Sequence, residues 1–159
     1  EWNWGAEMSM NGALAIADVL GIFGREDLYF ASYFSFPPFK SPGFFAFKMY
    51  TNYDDQGGHF GNTSVWAQTT DADVVNSFAA IDNKTGKLTL MLINKEPESE
   101  IPLQVYLNGF VPGPTAERYQ YSQNQLVSIT KSFLDVTPES FDIVLPPYSI
   151  TLLVLEPKQ

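Results

Sequence analysis

Residues 1–24 of the chain are EWNWGAEMSMNGALAIADVLGIFG, in which a carboxylate and two tryptophans stand directly before a helical pattern. Leu14, Ala17 and Leu20 recur at the spacing of one helix face, which predicts a helix over Met10–Phe23. Carboxylates favour solvent, whereas indoles favour buried or stacked positions. The start of this segment is therefore a candidate site for a ligand that has a flat, apolar face.

The segment that follows, LYFASYFSF (Leu28–Phe36), is a nearly continuous apolar run that two prolines end. Such a run is typical of a strand covered on both faces, as in parallel α/β sheets. Ser41 as N-cap and Pro42 as first helical residue then predict a second helix over Pro42–Asn52. One strand between two helices cannot bury its own faces, so this piece of an α/β fold requires partners that the chain does not contain.

A different pattern begins after the polar, Gly-rich segment Asn52–Asn62, and it indicates an antiparallel β-sandwich from about Phe60 onward. Asp82–Gly86 (DNKTG) predicts a hairpin turn. The predicted strands are Ser64–Gln68, Val74–Asp82, Lys87–Asn94, Ile101–Asn108, Arg118–Ser122, Phe141–Leu145 and Ser149–Leu155. The core is predicted to include Ile81, Leu90, Leu92, Val105, Leu152 and Val154.

The composition allows a packed core and excludes several classes of partner. Hydrophobic residues make up 45% and charged residues 17% of the 159 residues, and aromatic residues reach 15%. The net charge of −9 would repel phosphate backbones, so nucleic acid is not an expected partner. The chain has no cysteine and no apolar run long enough to span a bilayer, so neither thiolate chemistry nor a membrane is expected.

Glu1 is the sharpest catalytic candidate. Retaining cleavage of a glycosidic bond uses a carboxylate nucleophile and a second, protonated carboxyl group, roughly 5–5.5 Å apart. At the carboxyl end of a barrel strand, Glu1 would lie where barrel enzymes carry their chemistry. The alternative is an exposed carboxylate with no catalytic role.

The residues around Glu1 have two interpretations each. Glu7 is either the second carboxyl group or a group that orients the site; the alternative is a residue that caps the next helix or faces solvent. The candidates for contact with substrate are Trp2, Asn3, Trp4, Tyr33 and Phe34, and the aromatic ones among them fit core packing equally well.

A metal or histidine site has little support in the sequence. His59 is the only histidine, which excludes a triad or a multi-histidine metal site built from this chain. Asp54, Asp55, Asp71 and Asp73 offer oxygen ligands for a structural calcium ion, but they lack the spacing of a calcium loop. A solvated acidic linker is the alternative.

Several of these segments occur together in one enzyme family. They are EWNWG (residues 1–5), NGALAIADVLGIFGRED (11–27), LYFASYFSFP (28–37), KLTLMLINKEPESEIPLQVYL (87–107) and LPPYSITLLVLEP (145–157). Over essentially its whole length the chain resembles the C-terminal part of glycoside hydrolase family 44, which comprises retaining endo-β-1,4-glucanases and xyloglucanases. One departure is WGAE (residues 4–7), where YGGE is usual in the family.

The resemblance implies a fold and a set of roles. Residues 1–58 would be the last part of a (β/α)8 TIM barrel, from the end of strand seven to helix eight, and residues 59–159 an appended antiparallel β-sandwich. Glu1 matches the catalytic nucleophile, and Trp2 and Trp4 match its aromatic neighbours. The acid/base glutamate would lie outside this chain, so Glu7 would not be that residue, and the chain alone is expected to be inactive.

The implied substrate is a plant cell-wall β-glucan, in polymeric or oligosaccharide form, and the implied partner is the N-terminal portion of the barrel. No cofactor is required for this chemistry, and the expected location is extracellular, in bacteria. Two alternatives stay open. One is an arabinofuranosidase of the related family 51, and the other is a non-catalytic carbohydrate-binding or structural sandwich module.

Overall fold

In a computed structural model, which describes residues 1–158, the chain forms two helices and eight strands in three layers. The helices are α1 (Met10–Arg25) and α2 (Pro42–Thr51). The strands are β1 (Thr63–Val65), β2 (Val75–Ile81), β3 (Leu88–Asn94), β4 (Ile101–Tyr106), β5 (Pro112–Ser122), β6 (Gln125–Asp135), β7 (Ser140–Leu145) and β8 (Ser149–Pro157). All strand pairs are antiparallel, in a six-stranded sheet of order β1-β2-β3-β8-β5-β6 and a separate β4-β7 pair.

Both helices begin at serine caps. The Oγ of Ser9 accepts a hydrogen bond from the N–H of Gly12 at 3.0 Å, and the Oγ of Ser41 accepts one from Phe44 at 3.2 Å. These bonds satisfy N–H groups that the first helical turn leaves free. Both predicted helices are confirmed, α1 with two further residues at its end.

The six-stranded sheet is covered on both faces. The helices lie against one face, where the buried side chains of the sheet are Phe78, Met91, Ile93, Tyr119, Tyr121, Ile150, Leu152 and Val154. The β4-β7 pair lies against the other, over Val75, Ala79, Leu88, Leu90, Leu92, Ala116, Leu153 and Leu155. Strands β3 and β8 therefore alternate between two apolar faces, and both are almost entirely buried.

The predicted sandwich core is confirmed in part. Leu90 and Leu92 are buried between the sheet and the β4-β7 pair, and Ile81 and Val105 pack there while half-buried. Leu152 and Val154 are buried on the other face of the sheet, under the helices, because alternate side chains of β8 face opposite ways. The hairpin at Asp82–Gly86 is present, since the N–H of Gly86 donates to the carbonyl of Asp82 at 2.7 Å. Strand β6 was not predicted, and β5 begins six residues before the predicted Arg118.

The prediction of a strand over Leu28–Phe36 is wrong for this structure. Within residues 1–158 the segment makes only an isolated parallel bridge, between Tyr33 and Trp2, and Tyr29 and Phe36 are fully exposed. A strand needs a ladder of backbone pairs on at least one edge, and among the described residues Trp2 alone forms a β-bridge with the backbone of this segment. The two helices, by contrast, find a partner surface in the sheet of the same chain.

No helix within residues 1–158 combines the length and the hydrophobicity needed to cross a membrane.

Candidate active site

The bridge between Trp2 and Tyr33 brings the sequence-predicted residues together. The N–H of Trp2 donates to the carbonyl of Ser32, and the N–H of Phe34 donates to the carbonyl of Trp2, both at 2.9 Å. The two short segments run parallel, and α1 lies between them along the chain. The segment that carries Glu1, Asn3 and Trp4 therefore lies beside the segment that carries Tyr33 and Phe34.

Trp2 packs inside an aromatic layer that it forms with Phe23, Tyr33 and Phe47. Its ring centroid lies 4.6 Å from that of Tyr33 and 5.2 Å from that of Phe23, both edge-on, and 6.1 Å from that of Phe47. The indole is half-buried, and Phe47 also meets Tyr33 at 5.1 Å. Of the two interpretations given to Trp2, these contacts favour core packing.

Glu7 and Tyr33 form a polar pair beside these rings. The Tyr33 hydroxyl donates to Oε1 of Glu7 at 2.7 Å. This bond holds the pKa of Glu7 below its ordinary value of 4.5. Burial, and then the bond to Glu7, raise the pKa of Tyr33 to about 12. Glu7 is therefore ionised and Tyr33 neutral throughout the ordinary pH range.

Glu7 also joins the two helices. Its carbonyl accepts a hydrogen bond from the N–H of Gly43 at 2.8 Å, in the first turn of α2. A Cβ added at Gly43 would lie 3.0 Å from the Cβ of Glu7, so glycine allows this close approach. Its place at this helix junction gives Glu7 a structural function.

The surface above the aromatic layer carries the exposed members of the set. Glu1 and Asn3 are exposed, and Trp4 and Phe34 are 53% and 69% exposed. The Nδ2 of Asn3 donates to Oγ of Ser35 at 3.1 Å, which fixes the loop to the neighbouring segment. The two neighbouring segments therefore each expose side chains to solvent, a carboxylate and an indole on one and a phenyl ring on the other.

Sequence analysis missed Phe23, Phe47 and Ser35, which support this surface from below and beside it. Phe23 was assigned to the end of the first helix and Phe47 to the second, but helical periodicity alone does not indicate which rings face Trp2. The available signal was the high aromatic content of the segments that flank both helices.

The acidic linker does not gather into a metal centre in residues 1–158, where no group of three or more His, Cys, Asp or Glu side chains is placed to hold an ion. Oδ1 of Asp54 accepts from the N–H groups of Gln56 and Gly58, both at 2.8 Å, and Asp55 pairs with Lys48 at 2.6 Å. Nε2 of His59 lies 4.0 Å from Oδ2 of Asp82. A structural calcium ion stays a prediction that these contacts do not support.

No protein-family model matches the chain. Among curated proteins, an endoglucanase A from Paenibacillus lautus is 27% identical over 158 residues, which are 98% of this chain and 23% of that protein. Among solved structures, the bifunctional glucanase-xylanase CelM2 from a metagenome library is 39% identical, with a TM-score of 0.94 over 98% of this chain. A Paenibacillus polymyxa xyloglucanase of glycoside hydrolase family 44 is 29% identical, with a TM-score of 0.86 over 96% of this chain.

The chain spans about 30% of the length of each of these two structures. An α-L-arabinofuranosidase of family 51 shares the fold at 15% identity, with a TM-score of 0.74. These neighbours confirm the resemblance to glycoside hydrolase family 44, which extends over nearly the whole chain.

Proposed function

We propose that this relative of the family 44 glycoside hydrolases supplies the nucleophile-bearing part of a retaining endo-β-1,4-glucanase or xyloglucanase. One observation supports the proposal: the parallel bridge between Trp2 and Tyr33, which pairs the segment that carries Glu1 and Trp4 with the segment that carries Phe34, all three of them exposed. A carboxylate flanked by flat rings suits a pyranose, whose faces are apolar and whose edges carry hydroxyl groups.

A barrel origin for residues 1–58 is supported by connectivity. Two parallel segments joined through a helix form the repeating unit of an α/β barrel. In that unit the chain ahead of α1 lies at the carboxyl ends of the strands, where barrel enzymes place their active sites. Glu1 then takes the position expected of a catalytic residue.

The exposed aromatic segment supports a further barrel portion as partner. Tyr29, Phe30, Phe36 and Phe39 are between 75% and 102% exposed, an unusual concentration of large apolar side chains on a surface. In a closed barrel this segment would gain neighbours and complete the ladder that it lacks here. The remainder of the barrel is the proposed occupant of this face.

The proposed chemistry proceeds in two steps. The Glu1 carboxylate attacks the anomeric carbon while a carboxylic acid of the remaining barrel portion protonates the departing glycosidic oxygen. Water, deprotonated by that same residue, then attacks the anomeric carbon of the glycosyl ester and releases Glu1 as a carboxylate. The configuration of the sugar is thereby retained.

Glu7 is not the proposed acid. A general acid needs a pKa raised toward the working pH, whereas the hydroxyl of Tyr33 lowers that of Glu7. Its proposed role is to hold Tyr33, and through Tyr33 the Trp2 bridge, in place.

The test is release of reducing sugar from soluble β-1,4-glucan and from xyloglucan. The 159-residue chain is expected to be inactive alone, and activity is expected when the remaining barrel portion is present. In the active assembly, Glu1→Gln should lower turnover by about 10⁴-fold or more, while the control Glu26→Gln, an exposed carboxylate at the other end of α1, should not. Turnover that survives Glu1→Gln would refute the assignment.

The family 51 alternative is tested in the same assay with an aryl arabinofuranoside as substrate. Hydrolysis of the arabinofuranoside with none of the glucan would favour that alternative, which shares the fold with this chain. Binding of glucan without hydrolysis by the complete assembly would favour a non-catalytic module. Extracellular location in a bacterium is part of the same proposal.

A further inference from the structure

A second concave surface lies at the C-terminal end of α1. It has a volume of about 540 Å³ and lies between the last turns of that helix, the segment around β1 and strand β2. Glu1, Trp4 and Phe34 are not among its lining residues, so it is distinct from the surface proposed around Glu1.

The size and lining of the cavity suit a small ligand. Its volume lies within the range of ligand sites, about 300–1,000 Å³. Leu20 and Phe78 supply an apolar floor. Trp66 stands at the opening with 84% of its surface exposed, so the indole offers a flat face to any molecule that enters.

The polar groups of the cavity wall indicate an uncharged ligand. Asn62 and Ser64 are neutral. The two charged side chains neutralise each other, since Nε of Arg25 lies 3.0 Å from Oε1 of Glu26, and the Arg25 guanidinium also lies 5.7 Å from the centroid of the Phe78 ring. No unpaired charge in the wall is left to select an ionic ligand.

We propose that this cavity is an accessory binding site for a neutral oligosaccharide, with a sugar ring stacked on Trp66 and sugar hydroxyl groups facing Asn62 and Ser64. The class of ligand follows from the lining: an apolar floor, a flat ring and uncharged hydrogen-bonding groups. The choice of a β-1,4-linked glucose oligomer as probe rests on the proposed function.

Gly24 allows the cavity to be filled without disturbing the fold. It lines the cavity in the last turn of α1, and a Cβ added there meets no atom within 4 Å. Gly24→Leu would place its side chain in this open space, and its helix propensity exceeds that of glycine. Gly24→Ala is the matched control, because a single methyl group leaves most of the volume free.

The experiment is ¹⁹F NMR of the full-length enzyme carrying this sequence, labelled with 5-fluorotryptophan. The probe is thio-linked cellotetraose, which resists hydrolysis. The signal of Trp66, assigned with Trp66→Phe, should shift saturably with a dissociation constant in the millimolar range or tighter. Gly24→Leu should abolish the shift without lowering Tm, and Gly24→Ala and the distant exposed variant Phe133→Ala should leave it unchanged.

Three results would overturn the accessory site. They are a Trp66 signal that does not move up to about 10 mM probe, a shift that persists in Gly24→Leu, and an equal shift with the charged trimer of galacturonic acid. The signal of Trp4 and the hydrolysis assay with Glu1→Gln report on the proposed function separately. If the Trp66 signal does not shift while hydrolysis depends on Glu1, only the accessory site is refuted. If the Trp66 signal shifts while hydrolysis survives Glu1→Gln, only the proposed function is refuted.

Discussion

Tyr33 organises the candidate site at the scale of single residues. Its backbone lies beside Trp2, its ring packs edge-on against the indole at 4.6 Å, and its hydroxyl donates to Glu7 at 2.7 Å. One side chain thus fixes the exposed surface to the junction of the two helices. Loss of the hydroxyl should loosen the surface while leaving the aromatic packing in place.

Tyr33→Phe should lower the free energy of unfolding by about 1 kcal/mol at neutral pH, because the half-exposed Glu7 loses its hydrogen bond. The folded pKa of Glu7 is depressed, so its stabilisation is present above 4.5 and is lost as the pH falls through the folded value. Urea unfolding at several pH values should show the free energies of unfolding of Tyr33→Phe and the parent protein converging in acid. A difference that stays constant down to pH 3 would contradict this account.

Trp4→Ala should weaken binding of cellotetraose to the complete enzyme by about fivefold or more, because a 53% exposed indole offers a stacking face at the proposed cleft. Calorimetry on a hydrolysis-deficient background measures the effect. Phe133→Ala, an exposed ring at the opposite edge of the sheet, is the control. Equal affinities of Trp4→Ala and the parent protein would remove Trp4 from the substrate contacts.

Sequence reasoning could propose residues for this site but could not predict the contacts that they make. Glu1, Trp4 and Phe34 were predicted from residue type and position. The bond between Glu7 and Tyr33 joins residues 26 positions apart, and no local pattern encodes such a pair. The inward packing of Trp2 depends on Phe23 and Phe47, whose side chains reach it from two different helices.

At the scale of elements, two glycines of α1 should respond in opposite ways to the same substitution. A Cβ at Gly21 would lie 2.2 Å from the buried ring of Phe78, so Gly21→Ala should force α1 away from β2 and cost about 1–3 kcal/mol. Gly24→Ala meets open space and should stabilise the helix by about 0.5–1 kcal/mol. Thermal unfolding measures both effects: Tm should fall in Gly21→Ala and rise in Gly24→Ala. Equal shifts in Tm for the two variants would contradict the packing of α1 against β2.

Asn94 joins two loops at the end of β3. Its Nδ2 donates to the carbonyls of Ser99 and Pro146 at 3.1 and 2.7 Å, and its Oδ1 accepts from the N–H of Glu96 at 2.9 Å, with the side chain fully buried. Asn94→Ala would leave these groups unpaired and should cost about 2–3 kcal/mol in urea unfolding. Asn11→Ala, at an exposed position, is the control. An equally small loss of unfolding free energy in both variants would contradict the role of Asn94 in joining the two loops.

Element boundaries were predictable where local chemistry determines them. Ser41 and Pro42 mark the start of α2, and the turn at Asp82–Gly86 marks a hairpin. The prediction of a strand over Leu28–Phe36 failed because an apolar run forms a buried strand only when neighbouring strands are present to pair with it. Strand β6 escaped prediction because its side chains are mostly exposed, and its pairing with β5 is what defines it.

At the scale of the whole molecule, the sheet separates two apolar cores. The helices cover one face and the β4-β7 pair the other, which explains why β3 and β8 carry almost no polar side chains in their middles. The sandwich was predictable from turn and strand patterns. The packing of the helices on the same sheet could not be predicted. An amphipathic pattern indicates which face of a helix is buried, but it does not indicate which surface covers that face.

The central claim is that Glu1 is the nucleophile of a retaining β-glucanase to which this chain contributes. The most direct measurement treats the complete enzyme with a 2-deoxy-2-fluoro-β-cellobioside bearing a good leaving group, which slows hydrolysis of the glycosyl ester so that it accumulates. Peptide mass spectrometry should then find one fluorocellobiosyl group, attached to the peptide that contains Glu1 and absent from Glu1→Gln. A label on Glu7 or on a carboxylate outside this chain, or inactivation that persists in Glu1→Gln, would contradict the claim.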